Sequence, residues 1–409
     1  MRSRKTKIKS RSSVLIFLWI ISIIALSSYF IFSNVSARYQ EITPYCTTPI
    51  AIINHSQYSS SSNPDIYGRT MVYSFQGSLK FYDSGQDSRF GTADDLGIRM
   101  PAQFQRGNYS YSAPRIFKDD IVFIRSNFTS GQSDLMIYSL GPDLIIGTSD
   151  DRGPVPIISA PSQTFSTNQI YIDQNLVSFK IFNSLSFLVD TYYCTTDFPS
   201  GTCWNSIPQQ IIQNMFRSNM VRNFIATKSV YDQAPLFFFQ KQQSSFENLY
   251  FSEPGVSQEG PFYNIPANIY ETLEDISFPF ILTTFHTGQL DNKVRIGFTY
   301  QNSPYFQISP NNLEHSSYSI YDKFASISRV ISSDRRYGLV SWIRKDSEDM
   351  LVDNYVISNV MIINGTLSSS GVEVIIPRNI VIPISPPKVY KDTAVFSDGN
   401  RIYISECFF

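Results

Sequence analysis

The chain has 409 residues, of which 42% are hydrophobic and 15% aromatic, with 25 Tyr and 32 Phe. That composition suits strands better than helices and points to an all-β fold. The formal net charge is −1. Six cations (Arg2, Arg4, Lys5, Lys7, Lys9 and Arg11) stand in the first eleven residues, and taking their +6 from −1 leaves residues 13–409 at −7. This argues against a nucleic-acid-binding surface.

Val14 to Phe32 follows the basic stretch as 19 uncharged, mostly apolar residues. At about 1.5 Å per residue such a run can cross roughly 30 Å of hydrocarbon. Read as an uncleaved anchor, it leaves residues 1–13 cytoplasmic, spans the membrane with 14–32, and places a linker at 33–45 and all of 46–409 outside. The competing reading is a signal peptide cleaved after Ala37, in the small-residue pattern Val35-Ser36-Ala37, which gives a secreted chain. Both readings export the protein. The sequons at Asn54, Asn108, Asn127 and Asn364 agree with an exported location and are glycosylation candidates.

Further along, a sixteen-residue pattern occurs twice, 56 residues apart. Tyr82 to Gly97 reads YDSGQDSRFGTADDLG, and Tyr138 to Gly153 reads YSLGPDLIIGTSDDRG. Both fit Y-x-x-G-x-D-x-x-x-G-T-x-D-D-x-G. Self-similarity at a fixed offset marks an array of one supersecondary unit. Around the second copy the expected strands are Ala113 to Phe117, Ile121 to Arg125, Asp134 to Leu140 and Val155 to Ile158, with turn signals between them. Around the first copy, Arg69 to Phe75, Leu79 to Tyr82 and Ile98 to Pro101 play the same parts.

Looser copies start near Asn168, Asn223, Tyr270, Ile327 and Pro387. Four short strands every 46–60 residues or so is the pattern of β-propeller blades. The expected blades lie near 66–105, 114–160, 168–213, 220–267, 270–310, 327–383 and 387–407. After Arg401 to Ser405 the last unit lacks a fourth strand, and Thr47 to Asn54 is a β-like run without a partner. A terminal strand that completes the last blade removes the open edges at closure, so 46–54 is expected to close 387–407. Seven blades result, with six or eight as the alternatives.

The four cysteines test that arrangement. Cys407 ends the third strand of the last blade and Cys46 begins its proposed fourth strand, so they should form a disulfide across ring closure. Cys194 and Cys203 flank the corresponding hairpin of the third blade and should pair likewise. An exported location permits oxidation. With three His in the chain, none at ligand spacing to a cysteine pair, a zinc site is the weaker reading.

With these residues in view, the chain resembles the TolB-like β-propeller group, in particular exported microbial propellers whose blades carry the acidic loop between third and fourth strands. The close match covers the two loops, and the looser repeat covers about 46–407. The resemblance implies a binding or scaffolding module, since members mostly act so, some beside a catalytic domain that this sequence does not contain.

The acidic loops have two readings. Asp83, Asp87, Asp94 and Asp95 in the first copy, and Asp143, Asp150 and Asp151 in the second, are calcium-ligand candidates, because a short Gly-bearing loop can wrap several oxygens round a hard cation. Alternatively each Asp accepts backbone N–H bonds in a tight turn without an ion. The spacing is not that of an EF-hand, and the Asp boxes of sialidase-like propellers fail to match at Phe81. No nucleophile-elbow, zincin, P-loop or dinucleotide motif is present. Glu271, Glu274 and Asp275 read as solvated loop residues rather than a catalytic pair. Aromatic runs such as Phe237-Phe238-Phe239 and Tyr250-Phe251 should place about half their rings between blades.

The functional expectation is a membrane-anchored extracytoplasmic propeller that binds or scaffolds an envelope or surface protein or polymer. A propeller enzyme acting on glycan or peptide in the central funnel, and a structural surface-layer component, are the alternatives.

Overall fold

In the computed structural model, the described residues are 45–55, 63–161, 165, 170–183, 188–206, 208–210, the strands between 221 and 374, 387–397 and 400–408. The expected cytoplasmic flank, anchor and linker up to residue 44 lie outside them, as does the sequon at Asn364. Among the described residues no helix is long and apolar enough to cross a membrane. Residues 45–407 form one compact unit.

Within that unit the strands group into seven antiparallel sheets, six of four strands and one of five. The first sheet runs Asp65–Tyr67, Thr70–Phe75, Ser78–Asp83 and Gly97–Arg99 in spatial order. The second runs Tyr109–Phe117, Asp120–Asn127, Gln132–Ser139 and Arg152–Pro161. The third begins at Tyr171–Asp173, the fourth at Val221–Lys228 and the fifth at Tyr270–Ser277. The sixth begins at Ser319–Ile327, eight residues before the expected start at Ile327. Its first strand is the stretch SIYDKFASI, and the later, better-marked Tyr337–Asp346 is its second strand.

In the seventh sheet the first and last described strands meet. Lys388–Tyr390, Thr393–Ser397 and Arg401–Phe408 come from the C-terminal end, and both Tyr45–Cys46 and Ile50–Asn54 pair with Arg401–Phe408. The closing strand is therefore split in two. Each sheet packs on the next in chain order, and the innermost strand of the seventh packs on that of the first. The fold is an all-β propeller.

Its sheets are sandwiched between neighbours, which explains why their middle strands do not alternate. Every residue of Thr70–Phe75 is buried, as are Ile121 to Ile124 and Leu135 to Tyr138. A strand covered on both faces reads as a continuous apolar run. The rings interleave between sheets: Phe104 sits 5.0 Å from Tyr138 and 5.6 Å from Phe123, both edge-on, while Tyr193 of the third sheet meets Phe237 of the fourth at 5.0 Å.

Polar side chains finish the inner edges, where the first strand of a sheet has no partner on one side. Asp65 Oδ2 accepts the Ile116 N–H of the next sheet at 3.0 Å. Ser178 Oγ accepts the Ala226 N–H at 3.1 Å, and Thr227 Oγ1 donates to Asp173 Oδ2 at 2.5 Å. Buried backbone donors need such partners, so these contacts seat each sheet on its neighbour as well as satisfying it.

Candidate functional site

Both acidic loops join the third and fourth strands of their sheets. In the first, Tyr82 ends on the strand and donates its hydroxyl to Asp95 Oδ2 at 2.5 Å, and the Gly91 N–H donates to the same oxygen at 2.8 Å. Asp94 Oδ2 accepts the N–H groups of Gln86 and Asp87 at 2.9 and 3.1 Å. Asp87 Oδ1 accepts from Arg89 N, and the Thr92 hydroxyl lies 2.8 Å from Asp94 Oδ1. Asp83 points the other way: it is buried, takes the Gly85 N–H on Oδ1 and meets Arg69 at 3.4 Å through Oδ2.

The second loop repeats the scheme. Tyr138 donates to Asp151 Oδ2, which also accepts from Gly147 N at 2.6 Å. Asp150 Oδ2 accepts from Asp143 N, Asp143 Oδ1 from Ile145 N, and Thr148 Oγ1 donates to Asp150 Oδ1 at 2.6 Å. Gly85 and Gly141 take φ of +78° and +70°, and a Cβ at either would run into the backbone and carboxylate of Asp94 or Asp150. Only glycine fits both the positive φ and the close approach.

The electrostatics follow from these bonds. Hydrogen bonds from Thr92 and from backbone N–H groups hold the Asp94 carboxyl below its ordinary range, and Thr148 with its neighbours does the same for Asp150. Burial, reinforced by the adjacent Asp95 or Asp151 carboxylate, pushes the Tyr82 and Tyr138 phenols up, so each remains a donor. Of the seven calcium candidates, the structure gathers Asp87, Asp94 and Asp95, and Asp143, Asp150 and Asp151, into their loops, and turns Asp83 away. Each is engaged as an acceptor of N–H or O–H bonds, a geometry that fits the turn reading. Among the described residues no group of three or more His, Cys, Asp or Glu is placed to hold a metal ion.

Sequence reasoning missed what ties the first loop to ring closure. The Arg89 guanidinium reaches Glu406 with contacts of 2.6 and 3.3 Å. Next to it Cys46 and Cys407 form a disulfide, 361 residues apart, and Thr47 N donates to Glu406 O at 2.8 Å. Arg89 stands at an unmatched position of the repeat, so the pattern carried no signal for it. Cys194 and Cys203 form the second disulfide, in the third sheet. Trp204 caps that loop by donating Nε1–H to Thr196 O, and Arg152 lies 3.9 Å over the Phe198 ring, joining second sheet to third.

Other candidates are dispersed. Glu271, Glu274 and Asp275 belong to the strand Tyr270–Ser277 rather than a solvated loop. Asp275 is buried and accepts the Ile276 N–H, as Asp65 does for Ile66 in the first sheet. The expectation failed because an isolated Asp in a strand has the same local signature as one in a turn. Asn54 and Asn108 are exposed. Asn127 is half-buried, with Oδ1 accepting from Thr129 N and Ser130 N. Burial, with Lys80 nearby, lowers the His55 pKa to about 4, and its ring stacks on Phe75 at 3.6 Å.

No family model matches the chain, and no curated protein matches it. Solved structures do. The chain is similar to TolB from Acinetobacter baumannii at 11% identity, with a TM-score of 0.40 over 84% of this chain and 78% of that one. A Saccharomyces cerevisiae core factor chain matches at 8% identity and a TM-score of 0.50, over 89% of this chain and 60% of that one. An oligogalacturonate lyase in complex with manganese matches at 9% identity and a TM-score of 0.49, over 89% and 98%. Similarity at this level concerns the fold alone.

Proposed function

We propose that this protein is an extracytoplasmic propeller, held at the membrane by residues 14–32, that binds or scaffolds an envelope or surface protein or polymer. We read each sheet as one blade, which makes the ring seven-bladed. The observation that carries the functional reading is where the chemically conspicuous residues are engaged. The acidic loops and both disulfides fasten hairpins between third and fourth strands or the closing seam, and their carboxylates are taken up by backbone donors. Rigid hairpins that present loops are what a recognition module needs. Disulfides in a chain of this size belong to an oxidising compartment, which supports an exported location.

The test is an affinity capture from solubilised envelope with the full chain, together with an assay of glycan and peptide turnover. Saturable capture of a discrete partner without turnover is expected. Turnover of either substrate class, with nothing captured, would replace this reading with the enzyme alternative.

A further inference from the structure

Of the four sequons, those at Asn54, Asn108 and Asn127 fall on described residues, and the fold treats them differently. Asn127 is half-buried, and its Oδ1 holds the following turn by accepting from Thr129 N at 2.8 Å and Ser130 N at 3.1 Å. Asn54 stands opposite Arg401, and Ser56 of its sequon lies outside the described residues. Asn108 is exposed, and its side chain makes no hydrogen bond among the described residues. Ser110 supplies the hydroxyl two positions on.

What stands beside Asn108 sets it further apart. Tyr109 pairs with Asn127 across the first two strands of the second sheet, and the Phe128 N–H donates to the Asn108 carbonyl at 3.1 Å, which carries the ladder one pair beyond those strands. Neither Asn108 nor Phe128 takes a positive φ. Directly opposed residues of an antiparallel pair hold their Cβ atoms about 4.5–5.5 Å apart on one face. Asn108 therefore stands beside Phe128, which at 57% is the most exposed of the large hydrophobic residues described. The Arg106 guanidinium lies over that ring, 5.4 Å from its centroid, and more than half of the residue still meets water. Asn127, one position earlier, shares the other face with Tyr109, where the Arg125 guanidinium lies 4.8 Å over the tyrosine ring.

A pyranose carries C–H groups on its faces and hydroxyls round its edge, so one face can pack on an aromatic ring and take apolar area of both out of water. A sugar on Asn108 Nδ2 is within reach of a ring attached so close by. Resting on the reading of the chain as extracytoplasmic, we infer that Asn108 carries an N-linked glycan whose first sugar packs against the Phe128 ring. The donor is an oligosaccharide on a membrane lipid diphosphate. Asn108 Nδ2 forms a bond to the anomeric carbon, and the bond from that carbon to the diphosphate oxygen breaks with its electron pair going to oxygen. The amide gives up one proton to the base of the transferring enzyme. Ser110 completes the acceptor sequence, and Phe128 is a positioning residue for the attached sugar.

The test is mass spectrometry of intact glycopeptides from the full chain isolated from its native source. Trypsin separates the two neighbouring sequons, since residues 107–115 contain Asn108 and residues 126–152 contain Asn127. A sugar adduct on Asn108 is expected, and Asn108→Gln and Ser110→Ala should each abolish it. Asn108→Gln should also lower the melting temperature by about 1 °C or more in the wild-type background and leave it unchanged in Phe128→Ala. A bare 107–115 peptide, or a glycan on Asn127 with none on Asn108, would overturn the inference. An equal shift in both backgrounds would overturn the packing on Phe128. If 107–115 is bare while Cys46 is joined to Cys407, the glycan fails and the extracytoplasmic reading stands; if it is bare and all four thiols are free, that reading falls with it.

Discussion

Each acidic loop is held by one Tyr–Asp contact and a set of N–H bonds to neighbouring carboxylates. A hydrogen bond to an ionised acceptor contributes about 1.5–3 kcal/mol, and Asp95 would keep its Gly91 donor if Tyr82 were lost. Tyr82→Phe is therefore expected to cost about 1.5 kcal/mol in denaturant unfolding; a loss below about 0.3 kcal/mol would show that the hydroxyl does not fasten the loop. Asp120 gives the pH signature. It is buried at the start of its strand, and burial pushes its carboxyl up to about 7. Its folded pKa exceeds the unfolded value of about 3.9, so its contribution is present below pH 4 and is lost as pH rises through 7. The decline in melting temperature between pH 5 and 8 should accordingly be shallower in Asp120→Asn than in wild type. An unchanged slope would show that the group titrates normally.

At the scale of the hairpin, three devices occupy equivalent positions: hydrogen-bonded acidic loops in the first and second sheets, the Cys194–Cys203 bridge in the third, and the Cys46–Cys407 bridge at closure. In the chain-entropy model the bridges, with separations of 361 and 9, would contribute about 6 and about 3 kcal/mol, as upper values. Since the loops are fastened by hydrogen bonds, a calcium chelator should leave the melting temperature unchanged; a fall of several degrees would mean that Asp94, Asp95 and their counterparts hold an ion.

These hairpins were also the most legible part of the sequence. Tyr82, Gly85, Thr92, Asp94 and Asp95 recur as Tyr138, Gly141, Thr148, Asp150 and Asp151 because each makes a contact within its own loop, so the constraint repeats with the loop. Arg89 bonds to Glu406 across the seam, a partner that only one loop has, and no repeat could reveal it. Strand starts were less legible. Ser319–Ile327 was missed because Asp322 and Lys323 interrupt its apolar pattern, whereas Tyr337–Asp346 carries the uninterrupted Leu339-Val340-Ser341-Trp342-Ile343.

For the whole molecule, the central requirement is that the ring closes on itself. Stacked sheets that touch only their neighbours leave two exposed faces unless the last meets the first. Here Tyr67 of the first sheet packs against Tyr390 of the seventh at 4.6 Å and against Phe117 of the second at 5.1 Å, so the aromatic contacts run continuously through the joint. Outside that joint, the first and last described strands share one sheet, fastened by the Cys46–Cys407 bridge and the Arg89–Glu406 pair. Closure and the proposed export make a joint demand, since the bridge forms only where the first and last strands of the ring meet and where thiols are oxidised. The measurement that tests both is non-reducing peptide mapping of the protein isolated from its native source under alkylation. The account predicts Cys46 joined to Cys407 and Cys194 to Cys203, with no alkylated cysteine. Four free thiols, or any other pairing, would contradict it.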